Sequence, residues 1–160
     1  MEMSSPPVLP RNNKAYGTQE YWESRFEHEE SFEWLLSYRQ AKQQIDELIP
    51  SKDALILVVG CGNAPFSVDL YDAGYTNIVN IDYSETVIAR MRQQHPKLEW
   101  IVMDMLHLQF DDVSFDVVID KAAMDAFMTK EGDIWNPELG FVKQVYQMCD
   151  HIRRVLTKNG

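Results

Sequence analysis

The sequence predicts an α/β fold, an open parallel sheet with helices on both faces. Three observations carry this. Short apolar, branched runs alternate with stretches of helical period from residue 54 onward. The first run ends in Gly60-Cys61-Gly62-Asn63, a strand-to-helix turn. Helix breakers and caps (Pro50, Pro65, Gly74, Ser84, Pro96) fall at the joints.

The elements follow in order. Residues 1 to about 15 are polar and carry Pro6, Pro7 and Pro10, so they read as a flexible lead-in. Residues 16–160 read as one domain. From Thr18 the pattern is helical, with Tyr21, Trp22, Arg25 and Phe26 on one face. A second helix is expected from about Ser31 to Ile49, striped by Leu35, Tyr38, Ala41, Ile45 and Leu48 and broken by Pro50.

Ala54 to Val59 is too short for a typical helix and reads as a buried strand. Pro65 suits the first turn of a helix closed by Gly74. Strands are expected at 77–81, 98–103 and 115–119. Between the first two, Ser84 caps a helix that runs to Gln94 and stops before Pro96. A long last helix opens at Asn136-Pro137-Glu138, striped by Phe141, Val145, Met148, Ile152 and Val155.

Charge and composition exclude several functions. The 160 residues carry 25 acids against 15 bases, a formal charge of -10. That argues against nucleic-acid binding through a basic face and suits a cationic partner. The longest purely apolar run is the six residues 54–59, whereas a membrane-spanning helix needs about 20. The N-terminus has no secretory pattern. Cys61 and Cys149 make no disulfide framework, and the four histidines show no metal-ligand spacing. The reading is a reduced, cytoplasmic protein without a metal.

In open parallel sheets, ligands bind beyond the carboxyl ends of the strands. Gly60 and Gly62 let backbone approach a ligand closely, although a plain tight turn accounts for two glycines as well. A dinucleotide loop needs a third glycine where Pro65 stands, and proline offers a pyrophosphate no N–H. This points away from NAD and FAD, toward a nucleoside without phosphate. Asp82 lies 20 residues after Gly62, the spacing of an acid that holds ribose hydroxyls. Asp104 and Met105 end the third strand, where a carboxylate can accept from an adenine amino group and a methionine can pack on its face. Asp120 and Lys121 end the fourth. Lys121 also reads as a solvated charge, and Asp125 is spaced to pair with it along a helix.

These runs together (Leu55 to Asn63, Asn80 to Ser84, Met103 to Met105, and Phe115 to Lys121) resemble the seven-strand S-adenosylmethionine-dependent methyltransferases, whose fold is Rossmann-like. Within them the chain is most similar to the group that methylates lysines of translation elongation factor 1-alpha. That narrower likeness rests on Tyr21 to Phe26, Phe32-Glu33-Trp34, Gly60 to Asn63 and Asp120 to Ala126.

The resemblance implies S-adenosyl-L-methionine as cofactor. Gly60 and Gly62 then line its methionine part, Asp82 and Tyr83 its ribose, and Asp104 and Met105 its adenine. Lys121 lies near the methionine end, able to pair with its carboxylate. Trp22, Phe26 and Trp34 match aromatic positions by which the family's N-terminal helices close over the cofactor; ordinary helix packing is the other reading of these rings. Phe26 replaces an expected tyrosine, Val58 an expected acid, and Ala122-Ala123 an expected Gly-Thr.

The implied activity is protein-lysine methylation of a basic partner, elongation factor 1-alpha. A small-molecule methyltransferase and a non-catalytic cofactor-binding fragment are the alternatives. No catalytic base is assigned; Asp120 and Asp125 are the nearest carboxylates. In the family, a turn such as Thr157 to Gly160 leads into a fifth strand. The expectation is therefore a domain truncated after its fourth strand and helix, with 115–119 as an unpaired edge.

Overall fold

A computed structural model describes residues 9–49, 51–130, 135–158 and 160. Most of the expected lead-in, residues 1–8, lies outside them. The described chain begins with a short 3-10 helix, Asn13–Gly17, followed by α1 (Gln19–His28) and α2 (Tyr38–Leu48). Then come β1 (Ile56–Val59), α3 (Phe66–Asp72), β2 (Ile78–Asp82), α4 (Glu85–Gln94) and β3 (Glu99–Val102). After β3 follow β4 (Val117–Asp120), α5 (Ala123–Met128) and α6 (Leu139–Val155).

The four strands form one parallel sheet in the order β3-β2-β1-β4. Chain order reverses direction at β1, so β1 and β4 flank the switch point where such sheets bind ligands. Every residue of β1 and β2 is buried. Alternate residues serve opposite cores. Ile56 and Val58 pack with Leu70, Ile88 and Trp100 on one face. Leu57 and Val59 pack with Ile81, Phe115 and Val155 on the other. Burial on both faces is why these strands are continuous apolar runs and not alternating ones.

Three expectations are corrected. The second helix does not start near Ser31. Leu35 sits at φ 61°, a left-handed conformation no α-helix contains, and Leu35 is exposed, not on a core stripe. Ser37 then starts α2 with a reciprocal capping box to Gln40. Secondly, α5 is an additional helix that the apolar pattern did not announce. Thirdly, the edge expected at 115–119 is bridged just before β4, while β4 itself pairs with β1 on one side. Phe115 and Leu156 form a parallel bridge, and the Thr157 N–H donates to the Phe115 carbonyl at 2.8 Å.

Candidate functional site

The Gly60–Asn63 loop folds as its glycines dictate. Gly60 and Gly62 have φ of 58° and 55°. A Cβ at Gly60 would stand 2.3 Å from the Cβ of Ala123, so glycine is required there by space as well as by conformation. The loop is tied to β2 from both sides. The Cys61 N–H donates to the Ile81 carbonyl at 3.0 Å, and the Gly62 N–H to Asp82 Oδ2 at 3.0 Å.

Asp82 is 5% exposed and accepts a second backbone bond, from the Ser84 N–H to Oδ1, at 3.0 Å. Burial dominates over these two bonds and lifts its carboxyl from 3.8 to about 6. Burial likewise raises the Tyr83 hydroxyl above its ordinary value, reinforced by Asp82 and Asp104.

The N-terminal segment roofs the strand ends. Tyr16, Trp22, Phe26, Phe32 and Trp34 form one aromatic cluster, with ring centroids 4.9–6.0 Å apart along Phe32–Trp34, Tyr16–Trp34, Trp22–Phe26 and Trp22–Trp34. The buried Arg25 guanidinium lies 5.0 Å from the Trp34 ring and 5.1 Å from the Phe32 ring, and pairs with Glu29 at 2.6 Å.

Four polar anchors hold this roof down. Glu23 caps α4 from another element: Oε1 accepts from Glu85 N–H at 2.9 Å and Oε2 from the Ser84 hydroxyl at 2.8 Å. Burial pushes the Glu23 carboxyl up, but the donors from Thr86, Ser84 and Glu85 outweigh it and leave it below its ordinary value. Asn63, 4% exposed, donates to the Glu29 carbonyl at 3.0 Å and accepts from Phe32 N–H at 3.3 Å. Arg90 donates to the carbonyls of Glu29 and Phe26. Lys121 Nζ donates to Glu33 Oε1 at 2.5 Å and to the Trp34 carbonyl at 2.8 Å.

Roof and strand ends enclose a cavity of about 370 Å³. All ten sequence-predicted positions line it: Trp22, Phe26, Trp34, Gly60, Gly62, Asp82, Tyr83, Asp104, Met105 and Lys121. The Lys121 charge, however, is already answered by Glu33. The expected Lys121–Asp125 helical pair does not form either, because α5 starts only at Ala123, after Lys121. Asp120 is an α5 cap, its oxygens accepting from the N–H groups of Ala123 and Met124 at 3.0–3.2 Å. Tyr16 was missed by sequence reasoning, and Phe32 and Asn63 entered it as motif positions without a site role. Asn63 had a signal, since a buried amide beside a glycine loop needs partners.

A parallel sheet with this loop after its first strand and a buried carboxylate after its second defines the class: an α/β protein that takes a small ligand at the carboxyl ends of its strands. Residues 56–160 match the family described as a methyltransferase domain, and the chain belongs to that family.

Among similar proteins is the mouse eEF1A lysine and N-terminal methyltransferase, 37% identical over 159 residues, which cover 96% of this chain and 22% of that protein. The mouse EEF1A lysine methyltransferase 4 is 34% identical, covering 98% of this chain and 63% of that one. The chain thus spans only part of the curated relatives it matches. Two solved structures share the fold. A protein of Pyrococcus horikoshii OT3 has TM-score 0.58 and 26% identity, over 91% of this chain and 57% of its own. A SAM-dependent methyltransferase from Methanosarcina mazei has TM-score 0.53 and 25% identity, over 71% and 52%.

Proposed function

We propose that the cavity binds S-adenosyl-L-methionine and that the protein of which this sequence is the whole or a part methylates lysine on translation elongation factor 1-alpha. The observation that carries the cofactor reading is Asp82: a buried carboxylate, oriented by two backbone N–H groups, at the floor of a cavity walled by aromatic rings. Such a group is matched to hydroxyl donors. The residues present fit a nucleoside without phosphate. Pro65 removes a helix N–H and Lys121 is paired with Glu33, so neither of these positions offers a phosphate a free donor.

In this reading Asp82 accepts from the ribose hydroxyls, with Tyr83 beside it. Asp104 and Met105 meet the adenine. Gly60 and Gly62 let backbone carbonyls reach the methionine end, and Trp22, Phe26 and Trp34 exclude water. The cofactor supplies a methyl group already activated on a sulfonium. The protein's task is therefore alignment and desolvation. A lysine acceptor has an ordinary pKa near about 10.4, which desolvation beside a cation lowers, so a strong base is not required.

The protein substrate rests on the names of the relatives, and a negative chain suits a basic partner better than nucleic acid. A cytoplasmic location follows from that substrate. No described helix is long and apolar enough to cross a membrane.

The test is thermal unfolding with S-adenosylhomocysteine and with NAD, followed by transfer of labelled methyl from S-adenosylmethionine to elongation factor 1-alpha. At 100-fold over its dissociation constant, S-adenosylhomocysteine should add about 2.7 kcal/mol of stability and NAD none. A larger shift with NAD overturns the cofactor; label confined to small molecules overturns the substrate.

A further inference from the structure

A second cavity of about 290 Å³ opens beside the first. Its walls are apolar: Leu36 and the α2 residues Ala41 and Ile45 on one side, Phe66 and Ile119 on the other. Leu35, Lys121, Ala122 and Asp125 line both cavities, so the two meet there. The junction has unusual backbone on both sides. Leu35 and Ala122 are left-handed, at φ 61° and 75°. Holding two non-glycine residues there is strained, and the surrounding structure must over-determine it. Leu35 and Leu36 are also 68% and 49% exposed, the apolar lip of the groove.

Charge selects the occupant. Of the charged groups in the second cavity, Lys121 is neutralised by Glu33 and Asp120 caps α5. Asp125 is exposed and has no hydrogen bond or ion pair among the described residues. Its charged neighbour is Asp120, another carboxylate that feels its negative charge. An apolar groove ending at an uncompensated carboxylate suits an unbranched hydrocarbon stem with a cation at its tip. A phosphate or a carboxylate would be repelled, and a plain hydrocarbon would gain nothing from Asp125.

We infer that this groove is the acceptor channel: a lysine side chain enters over the Leu35–Leu36 lip, its methylenes lie against Phe66 and Ile119, and Asp125 receives its ammonium where the cavities meet. The channel's being an acceptor channel rests on the methyl-transfer reading above; its preference for an alkylammonium does not.

The test is an NMR titration of the ¹⁵N-labelled protein with n-butylammonium, and with n-butanol as the uncharged control. Amides of Leu35, Leu36, Ala122 and Asp125 should shift with n-butylammonium. Asp125→Asn, at an exposed site, should weaken that binding about two- to fivefold. Leu36→Ser should weaken it without changing the preference for the cation. Equal response to n-butanol, an unchanged affinity in Asp125→Asn, or shifts confined to other residues overturns the channel. Stabilisation by S-adenosylhomocysteine without these shifts also overturns it, and leaves the proposed function standing. The shifts without that stabilisation support the groove's preference for an alkylammonium but remove the methyl-transfer reading, and with it the acceptor role.

Discussion

Protonation of Asp82 should govern how ligand affinity and stability respond to pH, and in opposite directions. The carboxylate is buried, and burial lifts its pKa from 3.8 to about 6 despite two backbone donors. Between these values the folded protein keeps a proton that the unfolded chain has released. Stability therefore falls as pH rises from about 4 to about 6, and this contribution is flat above. At about 1.36 kcal/mol per pH unit, the interval amounts to about 3 kcal/mol. Ligand binding needs the ionised form, because the carboxylate must accept from two ribose hydroxyls. Affinity for S-adenosylhomocysteine should then rise with pH, with a limiting slope of about tenfold per unit below about pH 6. The two hydroxyl bonds, at about 1.5–3 kcal/mol each, set the cost of Asp82→Ala at about 10²- to 10⁴-fold in dissociation constant. Asp72, exposed at the end of α3, is the control. Calorimetric titration at about pH 5, 6 and 7.5 on wild type, Asp82→Ala and Asp72→Ala measures all of this. Affinity independent of pH, or equal affinity in the two variants, would refute the assignment of Asp82 to the ribose.

Three further outcomes follow from the same geometry. Asn63→Ala leaves the Phe32 N–H without its partner, while the Glu29 carbonyl keeps Arg90, and should cost about 1–2 kcal/mol. Hydrogen exchange at the Phe32 amide checks it, and unchanged protection there counts against Asn63 as an anchor. Ala122→Gly relieves a left-handed alanine and should add about 0.5–1 kcal/mol in urea unfolding, after glycine's own entropic cost; a destabilised variant contradicts this. Lys121→Met removes the cation from a largely buried Glu33 carboxylate and should cost about 1–2 kcal/mol. Adding Glu33→Gln should return most of that loss, and a double variant as unstable as the single one means the pair is not coupled.

The sheet and the floor of the site are legible along the chain. The apolar runs at 54–59 and 77–81, the glycine loop, Asp82 and the Ser84 cap are features of residues close in the chain, where strand and helix periods act. Burial of β1 and β2 on both faces left an uninterrupted apolar signature. Tertiary structure alone decided the roof and its fastenings. Lys121 meets Glu33 across 88 positions, and Ser84 meets Glu23 across 61. No local period records such pairs, because their partners are set by how the sheet stacks and where α1 docks. The same reason explains the misplaced second helix. Leu35 fits a helical stripe in one dimension, yet the chain must turn there for Trp34 to roof the cavity, and a left-handed Leu35 supplies that turn. Asp125 is the converse case. Its sequence spacing suggested a partner, but Lys121 lies before the helix and is held by Glu33, which leaves the carboxylate free at the junction of the two cavities.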